Sequence, residues 1–354
     1  MKSPVISEIG VRVAQRLGES ARMFEGKTIL ITGANGFLGQ YFLEAFIYLN
    51  ESFLKTPCEI VAADSHITNT TTNDTLGVLP YRFLLQDVSK PFPVEEKPDY
   101  ILHAAGIASP MYYRRFPLET IEVATLGTRN MLDLARKSKS KGLVYFSSSE
   151  IYGDPDPAHV PTTETYNGNV SSIGPRACYD ESKRLGETFC SVYHKQFGTR
   201  VMIVRPFNVY GPGMKEADYR VLPNFANSIK AGKALTIYGS GHQTRTFCFV
   251  EDAILGFLQV LLLGRGGEAY NIGNPSPEIS MRGLVELITK LSPRPVKSEF
   301  MAYPESYPAG EPMRRCPDIT KAAKDVGYAP GVDLEQGLRV FLDWTEHAYT
   351  GMDL

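Results

Sequence analysis

The chain has 354 residues, of which 43% are hydrophobic and 21% charged, and a formal net charge of -2. That composition describes an ordinary globular chain with core enough for one large domain and a smaller one. The balanced charge leaves no electrostatic footprint for nucleic acid or an anionic membrane, so neither partner is expected. The five cysteines, Cys58, Cys178, Cys190, Cys248 and Cys316, are odd in number and widely spaced. They show neither a Cys-x-x-Cys pair nor Cys/His spacing suited to a metal, and so read as free thiols in a reducing, cytoplasmic compartment with no metal site.

Residues 1–25 mix Glu8, Arg12, Arg16 and Glu19 with Val5, Ile9, Val13 and Leu17. This is unlike a signal peptide and predicts an amphipathic helical extension that packs on the body or on a neighbouring subunit. Lys27 to Thr32 then reads as a buried parallel strand that runs into Gly33-Ala-Asn35-Gly36-Phe37-Leu38-Gly39 and the apolar helical pattern Phe42, Leu43, Phe46, Ile47. Strand, glycine turn and helix in that order suit a dinucleotide: the turn is tight, the backbone approaches a pyrophosphate, and the helix packs close to the sheet. A second apolar run, Glu59 to Ala63, ends at Asp64, where an acid meets the adenosine ribose in such folds; a turn cap is the alternative reading. No lysine or arginine lies between Ser65 and Pro80, so nothing local is offered to a 2′-phosphate, and NAD is expected rather than NADP. The threonine-rich stretch His66 to Thr75 is expected to be a mobile loop.

Further strands are predicted at Tyr81 to Leu85, Tyr100 to Ala104, Gly142 to Ser147 and Arg200 to Arg205, separated by helices near Leu118 to Lys137 and Cys178 to Gln196. The alternation predicts an α/β, Rossmann-like doubly wound parallel sheet. Beyond Pro206 the chain becomes richer in glycine and proline, with helices expected at Tyr219 to Ala231, Asp252 to Leu263, Met281 to Leu291 and Leu334 to His347. The expected organisation is a dinucleotide-binding domain over 26–205, with 240–265 returning to it, and a smaller C-terminal α/β substrate-binding lobe formed by 206–239 and 266–345.

Within Ile173-Gly-Pro-Arg-Ala-Cys-Tyr179-Asp-Glu-Ser-Lys183 a tyrosine and a lysine stand four apart and share one helix face. An ammonium beside a phenol stabilises the phenolate, so the spacing predicts a tyrosine with a lowered pKa, able to exchange a proton with a sugar hydroxyl near neutral pH. His103, before Ala104-Ala-Gly106, reads as structural or cofactor-adjacent.

Taken together, the glycine turn, Asp87-Val88, Ser147-Ser148-Ser149-Glu150-Ile-Tyr-Gly153, Tyr179 with Lys183, and Arg205-Pro-Phe-Asn208-Val-Tyr-Gly-Pro212 resemble the extended short-chain dehydrogenase/reductases, the NAD-dependent epimerase/dehydratase family. Within that family Ser109-Pro110 with Tyr113, Tyr238-Gly-Ser-Gly-His-Gln-Thr-Arg245 and Arg315-Cys-Pro-Asp-Ile319 are similar to the UDP-glucuronate decarboxylases. The resemblance implies NAD held by Gly33, Asn35, Gly36, Phe37, Leu38, Gly39, Asp64, Asp87, Val88 and Ala104 with Tyr179 and Lys183. It implies catalysis by Tyr179, Lys183, Ser148, Glu150 and Arg245, and a UDP-sugar held by Ser109, Tyr113, Ser149, Asn208, Arg220, Tyr238, Arg245 and Arg315. It also implies a homodimer. The chain departs from the pattern at Arg114 and Arg115, which are more basic, and at Ala124, where many relatives have asparagine. A 4-epimerase or 4,6-dehydratase acting on another nucleotide sugar therefore stays open, as does a non-catalytic NAD(H)-binding sensor.

Overall fold

The computed structural model describes residues 3–65, 67, 79–92, 95–302 and 312–352; apart from Ile67, the stretch expected to be a loop between His66 and Thr75 lies outside them. Seven strands form one all-parallel sheet: β1 Thr28–Thr32, β2 Glu59–Asp64, β3 Arg82–Leu85, β4 Tyr100–His103, β5 Gly142–Phe146, β6 Val201–Pro206 and β7 Ala269–Ile272. Their spatial order is β7-β6-β5-β4-β1-β2-β3. The direction of winding reverses between β1 and β4, and the crevice at their carboxyl ends is where such sheets bind ligands.

Both faces of the sheet are covered, and the two-residue period of the strands decides which side chain faces which layer. Ile29, Ile31, Val144, Phe146, Met202 and Val204 pack toward α2 (Gly39–Ser52) and the helix Val250–Leu263, against Phe42, Phe46 and Phe257. Their neighbours Leu30, Leu143, Tyr145, Val201 and Ile203 face Met131, Leu132, Cys190 and Tyr193 on the other side. The N-terminal helix α1, Pro4–Leu17, buries Ile6, Ile9, Val13 and Leu17 against the first layer and so packs on the body. Arg12 Nε lies 2.7 Å from Glu251 and Arg16 Nη1 2.7 Å from the buried Asp252.

The sequence pattern and the structure differ in three places. Residues 266–345 were expected to belong to the lobe, yet Ala269–Ile272 completes the main sheet, pairing from Ala269↔Ile203 to Ile272↔Pro206. Four residues are too few to separate an edge strand from a loop by periodicity. The helix expected over Leu118 to Lys137 runs as Pro117–Glu122, a π turn at Val123–Gly127, and Thr128–Ser138. Short helices at Pro110–Arg115 and Thr320–Val326 were not anticipated. The lobe itself is an α/β layer built from small sheets, including Leu235–Tyr238 beside Ser298–Met301, and Thr244–Arg245 between Ile279–Ser280 and Arg314–Arg315. Among the described residues no helix is long and apolar enough to cross a membrane, and all five cysteines are free thiols, four of them buried.

Candidate active site

The site begins at the turn after β1. Gly33 has φ +69°, and a Cβ there would stand 2.8 Å from the backbone of Ala105, at the end of the neighbouring β4. A Cβ on Gly39 would collide with the carbonyl oxygens of Gly33 and Ala34. Only glycine allows this approach of helix to strand, which leaves the amino end of α2 open toward the crevice. Asp64 Oδ2 accepts the Asn35 N–H at 2.9 Å, so the carboxylate read as a ribose ligand or a turn cap does cap the glycine turn. Asp87 likewise accepts the Ser89 N–H at 2.9 Å, and Val88 is buried beneath Gly127.

A cavity of about 1230 Å³ opens here, walled on this side by Gly33, Gly36, Phe37, Leu38, Gly39 and Ala104. Asn35, Asp64, Asp87, Val88 and Ser109 stand outside its described lining. The volume exceeds the ~300–1,000 Å³ of a single drug-sized ligand. Together with a cradle that any Cβ would fill, it fits a dinucleotide alongside a second ligand.

Tyr179 and Lys183 lie on the same face of α3, Ala177–Phe197, and both are buried. Burial raises the Tyr179 phenol to about 12, against the pull of its hydrogen bond to Ser148. The expectation of a lowered phenol pKa is therefore corrected for the protein alone. The Lys183 ammonium donates to the Phe146 carbonyl at 2.6 Å and stands 5.8 Å from the Tyr179 ring centre, while burial lowers its own pKa to about 8. Tyr113 stacks on Tyr179 with ring centres 5.4 Å apart. His103 is enclosed behind them, with Nδ1 2.8 Å from Thr32 Oγ1 and Nε2 3.3 Å from Thr128 Oγ1, and takes a structural role.

Ser148 also accepts the Glu150 N–H at 3.2 Å, as the cap of a short 3₁₀ turn that follows β5. Glu150 is gripped by two guanidinium groups: Arg315 forks onto both carboxylate oxygens, with Nη2 at 2.9 Å, and Arg176 binds Oε2. Arg315 was expected on a diphosphate; in the structure it holds Glu150. Arg245 is its register partner on the adjacent strand and donates Nη1 to the Thr244 carbonyl at 2.8 Å. Arg176, which also lies 3.5 Å from Asp180, was not singled out from sequence, although it stands inside the motif that carries Tyr179.

Of the remaining expected ligands, Ser149, Asn208, Tyr238 and Arg220 line the cavity. Asn208 donates Nδ2 to the Thr246 carbonyl at 2.8 Å. Arg220 is paired with Asp218, whose Oδ1 accepts from Ser109 at 3.4 Å. Behind the serines, Arg205 forks onto Glu187 at 2.6 and 2.9 Å and donates to Tyr152 Oη, and Ser147 donates to the same Glu187. This network fixes the turn that presents Ser148 to Glu150.

Known proteins are similar to this chain in sequence and in architecture. The chain is 38% identical over 312 residues to UDP-glucuronic acid decarboxylase 6 of Arabidopsis thaliana, covering 88% of this chain and 86% of that one. It is 39% identical over 314 residues to UDP-glucuronic acid decarboxylase 1 of Xenopus tropicalis, covering 88% and 70%. Among solved structures, UDP-glucuronic acid 4-epimerase from Bacillus cereus, in complex with UDP-4-deoxy-4-fluoro-glucuronic acid and NAD, superposes with a TM-score of 0.73 at 27% identity, covering 91% of this chain and 100% of that one. UDP-glucose 4-epimerase from Thermotoga maritima shares the fold, with a TM-score of 0.77 at 22% identity over 91% and 99% of the two chains. The NAD dependent epimerase/dehydratase family description matches residues 29–273, a span that holds the glycine cradle, Ser148, Tyr179 and Lys183. With that match and a cradle shaped for a dinucleotide, this chain belongs to the NAD dependent epimerase/dehydratase family and takes NAD as its cofactor.

Proposed function

We propose that the protein oxidises C4 of UDP-glucuronate, decarboxylates the resulting 4-keto acid and returns hydride to C4 to give UDP-xylose. The observation that carries this reading is the meeting, in one cavity, of Tyr179 and Ser148 with Glu150 held by Arg315, in a chain 35–39% identical to enzymes of that name. NAD⁺, when bound, would supply the hydride acceptor, and its reduced form the returning hydride. Tyr179 takes the C4 hydroxyl proton, Ser148 hydrogen-bonds the reacting oxygen, and the Lys183 ammonium stabilises the phenolate. Oxidation places a ketone two carbons from the carboxylate, so the electron pair left when CO₂ departs delocalises onto the C4 oxygen. Glu150, with Arg315 and its neighbour Arg245, is the group we assign to the proton then added at C5. Tyr113 and Ser149 are assigned to the sugar carboxylate, Ser109 to the substrate beside Tyr113, and Asn208, Arg220 and Tyr238 to the UDP moiety.

The boundary between the NAD-binding body and the sugar lobe is proposed at Pro206, with the Val250–Leu263 helix and β7 returning to the body. A homodimer is also proposed. Leu118, Leu126 and Leu185 are 70%, 47% and 47% exposed on helical segments that pack side by side, and a second copy of that face would cover them. The free thiols suit a cytoplasmic setting.

The test is incubation of purified protein with UDP-glucuronate and NAD⁺, following the sugar protons by NMR with CO₂ measured in parallel and the mass of the particle by light scattering. Loss of C6 as CO₂ with UDP-xylose formed supports the reading. Inversion at C4 with the carbon count unchanged would replace it with an epimerase.

A further inference from the structure

The segment that follows Val209–Tyr210 contributes Met214 to the lining of the cavity and is pinned from both directions. Tyr41 Oη, on α2, donates to the Pro212 carbonyl at 2.6 Å, and Tyr349 Oη donates to the Met214 carbonyl at 3.0 Å. One carboxylate oxygen of Glu216 accepts the N–H groups of Thr350 and Met352 at 2.8 and 3.0 Å. The strap is thus tied to the helix behind the glycine turn and to the C-terminal tail.

Lys215 stands between these anchors. Its ammonium lies 5.3 Å from the ring centre of Tyr112, on the short helix of the opposite bank. Tyr112, with Phe116 and with Ile67 just past β2, packs against the buried cluster of Ile107, Tyr113 and Tyr179. The ammonium is partly buried and feels Asp64, the residue that caps the glycine turn, together with Asp218, which Arg220 already neutralises. Gly213, two residues before Lys215, lies against Gln40 in the first turn of α2, and a cation carried beside that turn has its chemical use in a dinucleotide's ribose and diphosphate oxygens.

We propose that Lys215 and Tyr112 form a latch across the cofactor cleft, with Lys215 binding the adenosine-side ribose or diphosphate of NAD and the Glu216-anchored strap holding it there. The proposal rests on the NAD assignment and is independent of the sugar chemistry. Its consequence is slow cofactor exchange: the dinucleotide leaves only when the strap lets go of the tail or Lys215 lets go of the ligand.

The experiment loads the full chain with NADH, chases with excess NAD⁺ and follows NADH fluorescence for the wild type and for Lys215→Met, Lys215→Arg, Tyr112→Ala and Glu216→Gln, with melting temperatures taken alongside. Loss of one charge-assisted contact corresponds to release faster by about tenfold or more in Lys215→Met, with Lys215→Arg recovering most of the retention. Glu216→Gln, which touches no cofactor, is expected to speed release by a smaller factor. Release from Lys215→Met within twofold of the wild type at an unchanged melting temperature would overturn the latch. A wild type that takes up no NADH would remove the cofactor assignment beneath it as well.

Discussion

The two walls of the cleft are assembled differently. Gly33, Ser148, Tyr179 and Lys183 reach it from the ends of β1 and β5 and from the first turns of α3, each placed by backbone geometry within a few residues of its own motif. On the facing wall, Arg315 reaches Glu150 across 165 residues of sequence, and Arg220 and Asp218 neutralise one another. One wall is preorganised by shape, the other by paired charge. A ligand carrying a diphosphate and a carboxylate meets the first wall as a fit and the second as a competitor for guanidinium groups already engaged with acids.

The sharpest way to break that comparison is at Tyr179. Tyr179→Phe keeps the stacked ring under Tyr113 and the glycine cradle, so NAD binding, read by calorimetry, is expected to stay near the wild-type value. Turnover of UDP-glucuronate should fall by about 10²–10⁴-fold, the scale of a positioned acid/base group. Substantial residual turnover would move the proton transfer elsewhere in the cavity.

On the charged wall the expected effects are smaller and unequal. Arg315 is buried and forks onto Glu150, whereas Arg176 offers one nitrogen and is shared with Asp180. Removing one partner of a buried pair costs more than its net worth, because the other charge stays behind. Arg315→Gln is therefore expected to lower kcat/KM by about 100-fold and Arg176→Gln by about tenfold, a difference of about 1.4 kcal/mol. A double-mutant cycle with Glu150→Gln should give strong coupling for Arg315 and weak coupling for Arg176. Equal coupling would mean that the two guanidinium groups act as one clamp.

The same division explains what was legible in the sequence. The strand, glycine turn and helix at 27–47 and the Tyr179/Lys183 pair are local patterns; the parallel sheet followed from the alternation of strands with helices, and the family resemblance from these patterns together with Asp87-Val88, Ser147 to Gly153 and Arg205 to Pro212. The Glu150–Arg315 contact joins a 3₁₀ turn to a two-residue strand with no shared periodicity, so it left no mark in the sequence, and Arg176 was passed over inside its own motif. β7 escaped for a related reason: Ala269–Ile272 becomes a strand only because β6 offers it an edge. The Tyr179 pKa went the other way from expectation because residue spacing reports a neighbouring charge but not the burial that outweighs it.

Behind the shape-built wall, His103 gives the mildest test of how dry that wall is. Burial, and then the Lys183 charge, push its imidazole down to about 3, while the unfolded chain binds a proton at about 6.5. Between those values the unfolded state carries the extra proton, so folding stability falls as pH drops through that window, by up to about 1.4 kcal/mol per pH unit, and is restored above it. His103→Gln lacks the titration. It should be the less stable protein at pH 7.5 for want of the Thr32 contact, and chemical denaturation should show the gap to the wild type closing as pH is lowered from 6.5 toward 4.5. A gap that stays constant over that range would mean the imidazole keeps its proton inside the fold, and that water reaches the back of the Tyr179 wall.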